Sequence, residues 1–368
     1  MMRYKLLGNS GLRVSELCLG ALTFGEDWGW GASREESERV FHAYVERGGN
    51  FIDTANKYNN GTSEVLTGEF IAGDRHRYVL ATKFALSMHQ GDPNSGGNHR
   101  KNLVRSLEDS LKRLKTDYID LYWLHQWDST TPVEEIMRAL DDQVSAGKIL
   151  YVGISDTPAW VASQANTLAA LRGWTPFIGL QVEYSLIERT AERDLLPMAR
   201  SFGLATTPWG VVGGGVLTGK YHTAADPTAP PDSKRSVVNG PRVNERTLAI
   251  AAEVQAVATE INEANGTEIN EAKSTATVAA VSPAQVALNW VRQQPGQIIP
   301  IVGARTAKQA ADNLACLDWS LTDDQLRRLD QISRIEMGFP HEFINLPRIV
   351  EQRHGGTQHL LDNHHPWR

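Results

Sequence analysis

The chain has almost no cysteine: Cys18 and Cys316 in 368 residues, both in apolar contexts and without the spacing of a metal pair. They are expected to be buried small hydrophobes rather than a disulfide framework. No apolar run reaches the roughly 18 residues that a membrane-spanning helix needs. Gly8 and Gly11 interrupt the N-terminus before an apolar segment can form, so no secretory signal is expected and a reducing cytoplasm is the natural setting. Basic residues form no cluster interleaved with aromatics, and the formal net charge is -6, which argues against nucleic acid as the main partner. No G-x-G-x-x-G follows a first strand, which disfavours a Rossmann dinucleotide site. A second regime of composition is also missing. With 41% hydrophobic and 22% charged residues, the chain reads as one ordinary globular unit.

What is present is an alternation of short apolar runs and helical patterns. Tyr4-Lys5-Leu6-Leu7 and Leu12-Arg13-Val14 flank Gly8-Asn9-Ser10-Gly11, a hairpin signal. Candidate strands then end near Leu19, Asp53, Lys83, His125, Ser155, Gln181, Pro208 and Ile301. Helical stretches lie between most of them, at Ser33–Arg47, Asn102–Leu114, Pro132–Ala146 and Thr190–Phe202. The first opens with capping-box spacing at Ser33 and Glu36. The second places Leu103, Leu107, Leu111 and Leu114 on one face. Apolar strands alternating with helices predict an α/β fold, a (β/α)8 TIM barrel over residues 1–335 with an N-terminal hairpin, a long loop after strand 7 and a C-terminal tail over 336–368.

Three segments stand outside that pattern. Ala224 to Arg242 is rich in Pro, Asp, Ser and Ala and reads as a surface loop. Thr259 to Gly266 is nearly repeated by Thr267 to Ser274, a polar duplication expected to be a solvated helix or loop without chemistry. The tail from Met337 carries Pro340, Pro347 and Pro366 with His354, His359, His364 and His365. No acidic or cysteine ligand has fixed spacing to these histidines, so a mobile or dimer-contacting tail is expected rather than a metal site.

The strand ends carry the chemistry. Polar residues at the C-terminal ends of barrel strands share one face, where barrel active sites lie. Asp53, Lys83 and His125 stand at such ends, and Tyr58 follows Asp53 closely. An Asp beside a Lys shares a buried charge. An ammonium near a phenol favours phenolate and is expected to lower the Tyr pKa. His125 can donate or relay a proton to the same substrate oxygen. Such a set suits carbonyl reduction, which needs a hydride cofactor. In barrels, phosphate sites commonly form from the loops after strands 7 and 8. Gly213-Gly214-Gly215-Val216-Leu217-Thr218-Gly219-Lys220 and Gly303-Ala304-Arg305-Thr306 occupy those places. Their glycines permit close backbone approach, and Arg305 adds a guanidinium fork near a helix start.

Tyr4 to Ser333 resembles the aldo-keto reductases. The resemblance rests on the ordered series Leu7-Gly8-Asn9-Ser10-Gly11-Leu12-Arg13-Val14-Ser15, Asp53-Thr54-Ala55 with Tyr58, Ala81-Thr82-Lys83, Leu124-His125, Gly153-Ile154-Ser155, Gln181-Val182-Glu183-Tyr184, Gly215 to Tyr221 and Ile299 to Arg305. It implies NADPH as cofactor and an aldehyde or ketone reduced reversibly to an alcohol. Tyr58 would be the general acid, Lys83 and Asp53 its tuning pair, and His125 an orienting or proton-relaying partner. Ser155 and Gln181 would meet the nicotinamide amide, and Trp209 would stack on the ring. Gly20 and Thr23 would line the cofactor after strand 1. Val212, Gly213, Gly215, Leu217 and Lys220 would follow its pyrophosphate. Gly303, Arg305, Gln309 and Asn313 would hold the adenosine end, including a 2′-phosphate. Two departures matter: Asp156 replaces the usual Asn after Ser155, and Gly210-Val211-Val212 replaces the usual Ser-Pro-Leu. Within the family the chain looks most similar to bacterial reductases of the general-stress and potassium-channel β-subunit type.

Trp28, Trp30, Phe84 and Trp127, with Phe339 and Phe343 of the tail, are candidate substrate walls. The expected partner is a small carbonyl or alcohol, with no nucleic acid or membrane partner and with homo-oligomer formation left open. A cofactor-binding auxiliary subunit with slow turnover is the alternative on the same scaffold. A metal-dependent barrel hydrolase would need clustered His, Asp and Glu, whereas the strand ends offer one His and one Asp.

Overall fold

The computed structural model describes residues 2–219, 242–272 and 280–362, and of 267–272 the backbone alone. A hairpin of β1 (Tyr4–Leu6) and β2 (Arg13–Ser15) pairs antiparallel with Lys5 opposite Val14. Eight parallel strands follow: β3 (Cys18–Gly20), β4 (Phe51–Asp53), β5 (Val79–Phe84), β6 (Ile119–Leu124), β7 (Ile149–Ser155), β8 (Phe177–Glu183), β9 (Ala205–Trp209) and β10 (Ile301–Val302). Their spatial order is β10-β3-β4-β5-β6-β7-β8-β9. The ring closes where Thr206 and Ile298 form a parallel bridge, with Ile299 N donating to Thr206 O at 2.8 Å. The fold is a (β/α)8 barrel whose strands end within two residues of the positions expected from sequence.

Helices α1 (Arg34–Glu46), α2 (Thr62–Ile71), α3 (Arg100–Leu114), α4 (Val133–Ser145), α5 (Ala159–Arg172), α6 (Leu195–Phe202), α7 (Glu245–Ala272), α8 (Pro283–Arg292) and α9 (Ala307–Leu314) surround it, followed by α10 (Asp323–Ser333). Leu103, Leu107, Leu111 and Leu114 form the buried stripe of α3 as their spacing requires. Ser33 caps α1 by accepting from Glu36 N at 3.3 Å. The return half of the expected capping box is diverted, because Glu36 Oε1 instead accepts from Ala307 N at 2.7 Å and ties α1 to the start of α9. The expected helix over 190–202 is broken: a 3₁₀ turn over Thr190–Glu192 precedes α6.

Side chains alternate along each strand, so one set fills the barrel and the next packs outward on the helices. Val79, Ala81, Leu121, Trp123, Ile178 and Ala205 belong to the interior set, with Leu7 and Val14 of the hairpin region closing its lower end. Trp123 is fully buried there. Gly153 and Gly179 make room for it, since a Cβ on either would come within 2.3 and 2.8 Å of the indole. Cys18 and Cys316 are buried and unpaired.

The first copy of the duplicated segment lies within the 28-residue α7 and is anchored to the body. Asn262 Nδ2 donates to Val281 O at 3.0 Å, and Glu260 pairs with Arg328 at 2.6 Å. Of the second copy, 267–272 continue the helix and 273–274 lie outside the described residues. The loop expected over 224–242 also lies outside them, except Arg242, as do His364, His365 and Pro366. The tail forms α11 (His341–Ile344), α12 (Pro347–His354) and a turn at Gln358–Leu360 on the surface. Among the described residues, no helix is long and apolar enough to cross a membrane.

Candidate active site

The C-terminal ends of β4, β5 and β6 bring Asp53, Lys83 and His125 to one mouth. Asp53 and Lys83 are 2% and 0% exposed, so their charges need each other. Lys83 Nζ is bonded to Asp53 Oδ2 and donates to Thr54 O at 2.8 Å and to the Tyr58 hydroxyl at 3.0 Å. Gln181 Nε2, from β8, donates to Asp53 Oδ1 at 3.1 Å. Tyr58 is placed by the turn after β4. Asn59 and Asn60, both with left-handed backbone (φ 43° and 53°), and Gly61 (φ 101°) throw the chain back into α2 and leave the phenol over Lys83. Asparagine tolerates that conformation better than most residues.

Burial raises the Tyr58 phenol, and Lys83 pulls it back only in part, with Asp53 adding to the rise. Lys83 does pull the phenol down as expected, but burial outweighs it, so the expected net fall is corrected to a net rise. The direction depends on packing around the ring, and the ring carries its proton as an acid should. Burial alone would lower the Lys83 ammonium, but Asp53 and Tyr58 outweigh it and hold it charged. His125 is lowered to about 3 by desolvation and by Lys83, so the imidazole is neutral. Its ring stands edge-to-face with Tyr58 at 5.8 Å, and its Nδ1 has no hydrogen-bond partner among the described residues. A neutral imidazole can orient a carbonyl oxygen beside the phenol but carries no surplus proton.

Tryptophans flank the mouth. Trp28 meets Tyr58 edge-to-face at 6.5 Å and packs at a tilt on Trp30 at 5.5 Å. Asn59 Oδ1 accepts from Trp28 N and Asn60 Oδ1 from Trp28 Nε1, both at 3.4 Å. Trp127 pairs with Trp160 at 5.4 Å, nearly perpendicular. Trp160 was not expected from sequence, although it lies five residues beyond the end of β7. Phe84, expected on the substrate wall, is instead fully buried between barrel and helices, stacked on Tyr122 at 5.2 Å. Lys83 points into the mouth, so its strand neighbour must point out. Phe339 is 84% exposed and packs on Phe343 at the surface.

The residues expected around a dinucleotide form an arc from β7 to α9. Ser155 and Gln181 are buried at adjacent strand ends. Trp209 ends β9, half-buried, with Nε1 donating to Asp156 Oδ1 at 3.2 Å. Gly210, Gly213, Gly214 and Gly215 all take positive φ (70°, 59°, 65° and 98°). The N–H groups of Gly213, Gly215 and Leu217 bond inside this turn, to Gly210 O and Val212 O, and the Leu217 side chain is buried. The loop thus offers an anion close backbone approach rather than those three donors. Lys220 lies outside the described residues. Thr23 Oγ1 donates to Ala304 O at 2.7 Å, and a Cβ on Gly20 would meet Ile301 at 2.7 Å. Gln309 and Asn313 brace the loop before α9: Gln309 Oε1 accepts from Arg305 N at 3.0 Å and Asn313 Nδ2 donates to Gly303 O at 3.3 Å. The exposed Arg305 guanidinium has no ion-pair partner among the described residues. A glycine turn, a half-buried indole face and an unpaired guanidinium beside a helix N-terminus fit a dinucleotide phosphate.

A profile of the aldo/keto reductase family matches residues 16–334. The chain belongs to this family. It is similar to an aryl-alcohol dehydrogenase [NADP(+)] of Phanerodontia chrysosporium, 35% identical over 92% of this chain and 87% of the relative. It is also similar to a norsolorinic acid reductase of Aspergillus flavus (35%, 92% and 83%) and to the aldo-keto reductase ausK of Aspergillus calidoustus (35%, 94% and 85%). These relatives are fungal and give no support to the narrower likeness to bacterial stress-type and channel-subunit-like reductases. As a member of the family, the chain is an NAD(P)H-dependent oxidoreductase that interconverts carbonyl compounds and alcohols.

Proposed function

We propose that this aldo/keto reductase uses NADPH to reduce aromatic aldehydes and ketones, with Tyr58 as proton donor. The observation that carries the reading is the Tyr58 hydroxyl, 3.0 Å from a buried Lys83, with Trp28 edge-to-face on its ring and Trp30 behind Trp28. Flat indole walls stack on flat aromatic carbonyls. The names of the relatives, which speak of aryl alcohols and of norsolorinic acid, support the same class.

When bound, NADPH supplies the hydride. Tyr58 gives its proton to the carbonyl oxygen. Lys83 stabilises the phenolate left behind, and Asp53 holds Lys83 charged. Neutral His125 hydrogen-bonds the same oxygen and sets its direction. Ser155 and Gln181 would hold the nicotinamide amide, Trp209 would cover the ring, and the backbone of Gly20, Val212, Gly213, Gly215 and Leu217 would take the phosphates with Thr23. Arg305, its backbone held by Gln309, would take the 2′-phosphate, in a loop that Asn313 braces at Gly303. Residues 1–335 form the catalytic barrel and 336–368 an appendage. Two buried, unpaired cysteines support a reducing cytoplasm as its setting.

A substrate panel followed by loss of NADPH absorbance tests the reading. Benzaldehydes and aryl ketones should show kcat/KM at least about tenfold above sugar aldehydes of similar reactivity, since each aromatic contact is worth roughly 0.5–1.5 kcal/mol. A sugar preferred over every aryl aldehyde would overturn it.

A further inference from the structure

Asp156 stands just past β7 in left-handed backbone (φ 40°), an uncommon conformation that Asp, like Asn, adopts more readily than most residues. Its Oδ1 accepts from Trp209 Nε1 at 3.2 Å, and the Ser155 hydroxyl is a second donor to the same carboxyl. The group is near enough to Lys83 and Tyr58 for their charges to act on one another. Other charges at this mouth are matched. Lys83 is paired with Asp53, Glu183 with Arg242 at 2.5 Å, and His125 is neutral. Asp156 has no cationic partner within ion-pair distance among the described residues.

Resting on the reading that Trp209 covers the nicotinamide, we propose that Asp156 sets the redox-state preference of the cofactor site. Its carboxylate, bonded to the indole that would cover the ring, would lie at the ring's rim. The oxidised nicotinamide ring carries a positive charge and the reduced ring none. An unmatched carboxylate there attracts one form and is indifferent to the other. A neutral asparagine in the same place could hold the indole N–H equally well but would make no such distinction. The chain therefore binds NADP+ more tightly, relative to NADPH, than it would with a carboxamide at this position. The Asp156 side chain meets solvent although its surroundings partly desolvate it, so screened attraction gives roughly a three- to tenfold effect.

Calorimetric titration of NADP+ and of NADPH, each alone, into wild-type protein and Asp156→Asn tests this without turnover. The variant keeps an acceptor for Trp209 and nearly the same volume. The Kd for NADP+ should rise about three- to tenfold while that for NADPH moves less than about twofold, with Asp156→Glu retaining the wild-type ratio. Equal changes in both constants, or none, would overturn the proposal. Quenching of tryptophan emission by NADPH in wild type and in Trp209→Phe separates it from the reading beneath it. An equal quench in both refutes the placement of Trp209 and the proposal together. A quench lost in Trp209→Phe, with an unchanged ratio in Asp156→Asn, refutes the proposal alone.

Discussion

The ammonium of Lys83 lies 3.0 Å from the Tyr58 hydroxyl, and Asp53 grips it from the other side. The phenol is therefore a proton donor whose conjugate base has a cation waiting beside it. Burial keeps the proton on until a substrate oxygen becomes basic enough to take it. Tyr58→Phe removes that proton and little else. It should cut carbonyl reduction by about 10²–10⁴-fold, the range general acid catalysis contributes, with NADPH affinity nearly unchanged. Steady-state kinetics with a cofactor titration checks this. A variant within a few-fold of wild type would take Tyr58 out of the role.

Lys83→Met tests the other side of the pair. It strands a buried Asp53 carboxylate, a change that typically costs about 3–5 kcal/mol. It also takes away the charge that pulls the phenol down, so the pH profile for alcohol oxidation should move upward. Urea unfolding reads the first effect and the kinetic profile the second. If the single variant does not fold, Asp53→Asn with Lys83→Met should recover folding but not activity, because the carboxylate is no longer stranded. Normal stability and an unshifted profile would reduce Lys83 to a packing residue.

The cluster was legible because each member ends an apolar run. Asp53, Lys83 and His125 follow Phe51-Ile52, Val79-Leu80-Ala81 and Tyr122-Trp123-Leu124, and parallel topology does the rest. The outward turn of Phe84 is also legible in principle: side chains alternate along a strand, so Lys83 at the mouth sends Phe84 outward. Other features could not be read in one dimension. The bonds from Asn59 and Asn60 to Trp28, and the Trp127–Trp160 pair, join separate loops whose approach no local pattern encodes. The upward direction of the Tyr58 phenol depends on how tightly the ring is packed, which residue identity does not state. The diversion of Glu36 to Ala307 is likewise a tertiary event overriding a local motif.

Arg305 bears on cofactor choice. Its guanidinium is exposed and unpaired among the described residues, at the start of the helix after the last barrel strand. A guanidinium fork matches a phosphate bidentately and finds no equivalent on a 2′-hydroxyl. Charge-assisted bonds of this kind are worth about 1.5–3 kcal/mol, or roughly 10–150-fold in Kd. NADPH should bind more tightly than NADH by about that factor. Arg305→Ala should erase most of the gap and leave NADH nearly untouched, and added salt should weaken NADPH selectively. Equal wild-type affinity for the two cofactors would move the 2′-phosphate contact elsewhere.

His125 couples the site to acid stability. Desolvation and the Lys83 ammonium lower its pKa to about 3, against an ordinary 6.5. Above pH 6.5 the imidazole is neutral in folded and unfolded chains, and its contribution is fully present. Between pH 6.5 and about 3 the unfolded chain binds a proton that the folded one refuses, so stability falls as pH falls. Each pH unit in that window is worth up to about 1.4 kcal/mol, and the partial exposure of the ring reduces it. Going from pH 7.5 to pH 5 should therefore cost the wild type roughly 1–2 kcal/mol more than it costs His125→Gln, which has no proton to bind. Urea unfolding of both proteins at the two pH values measures the difference directly. Parallel losses would mean that the fold does not hold this imidazole neutral, and the orienting role given to it in carbonyl reduction would have to be rebuilt around a charged ring.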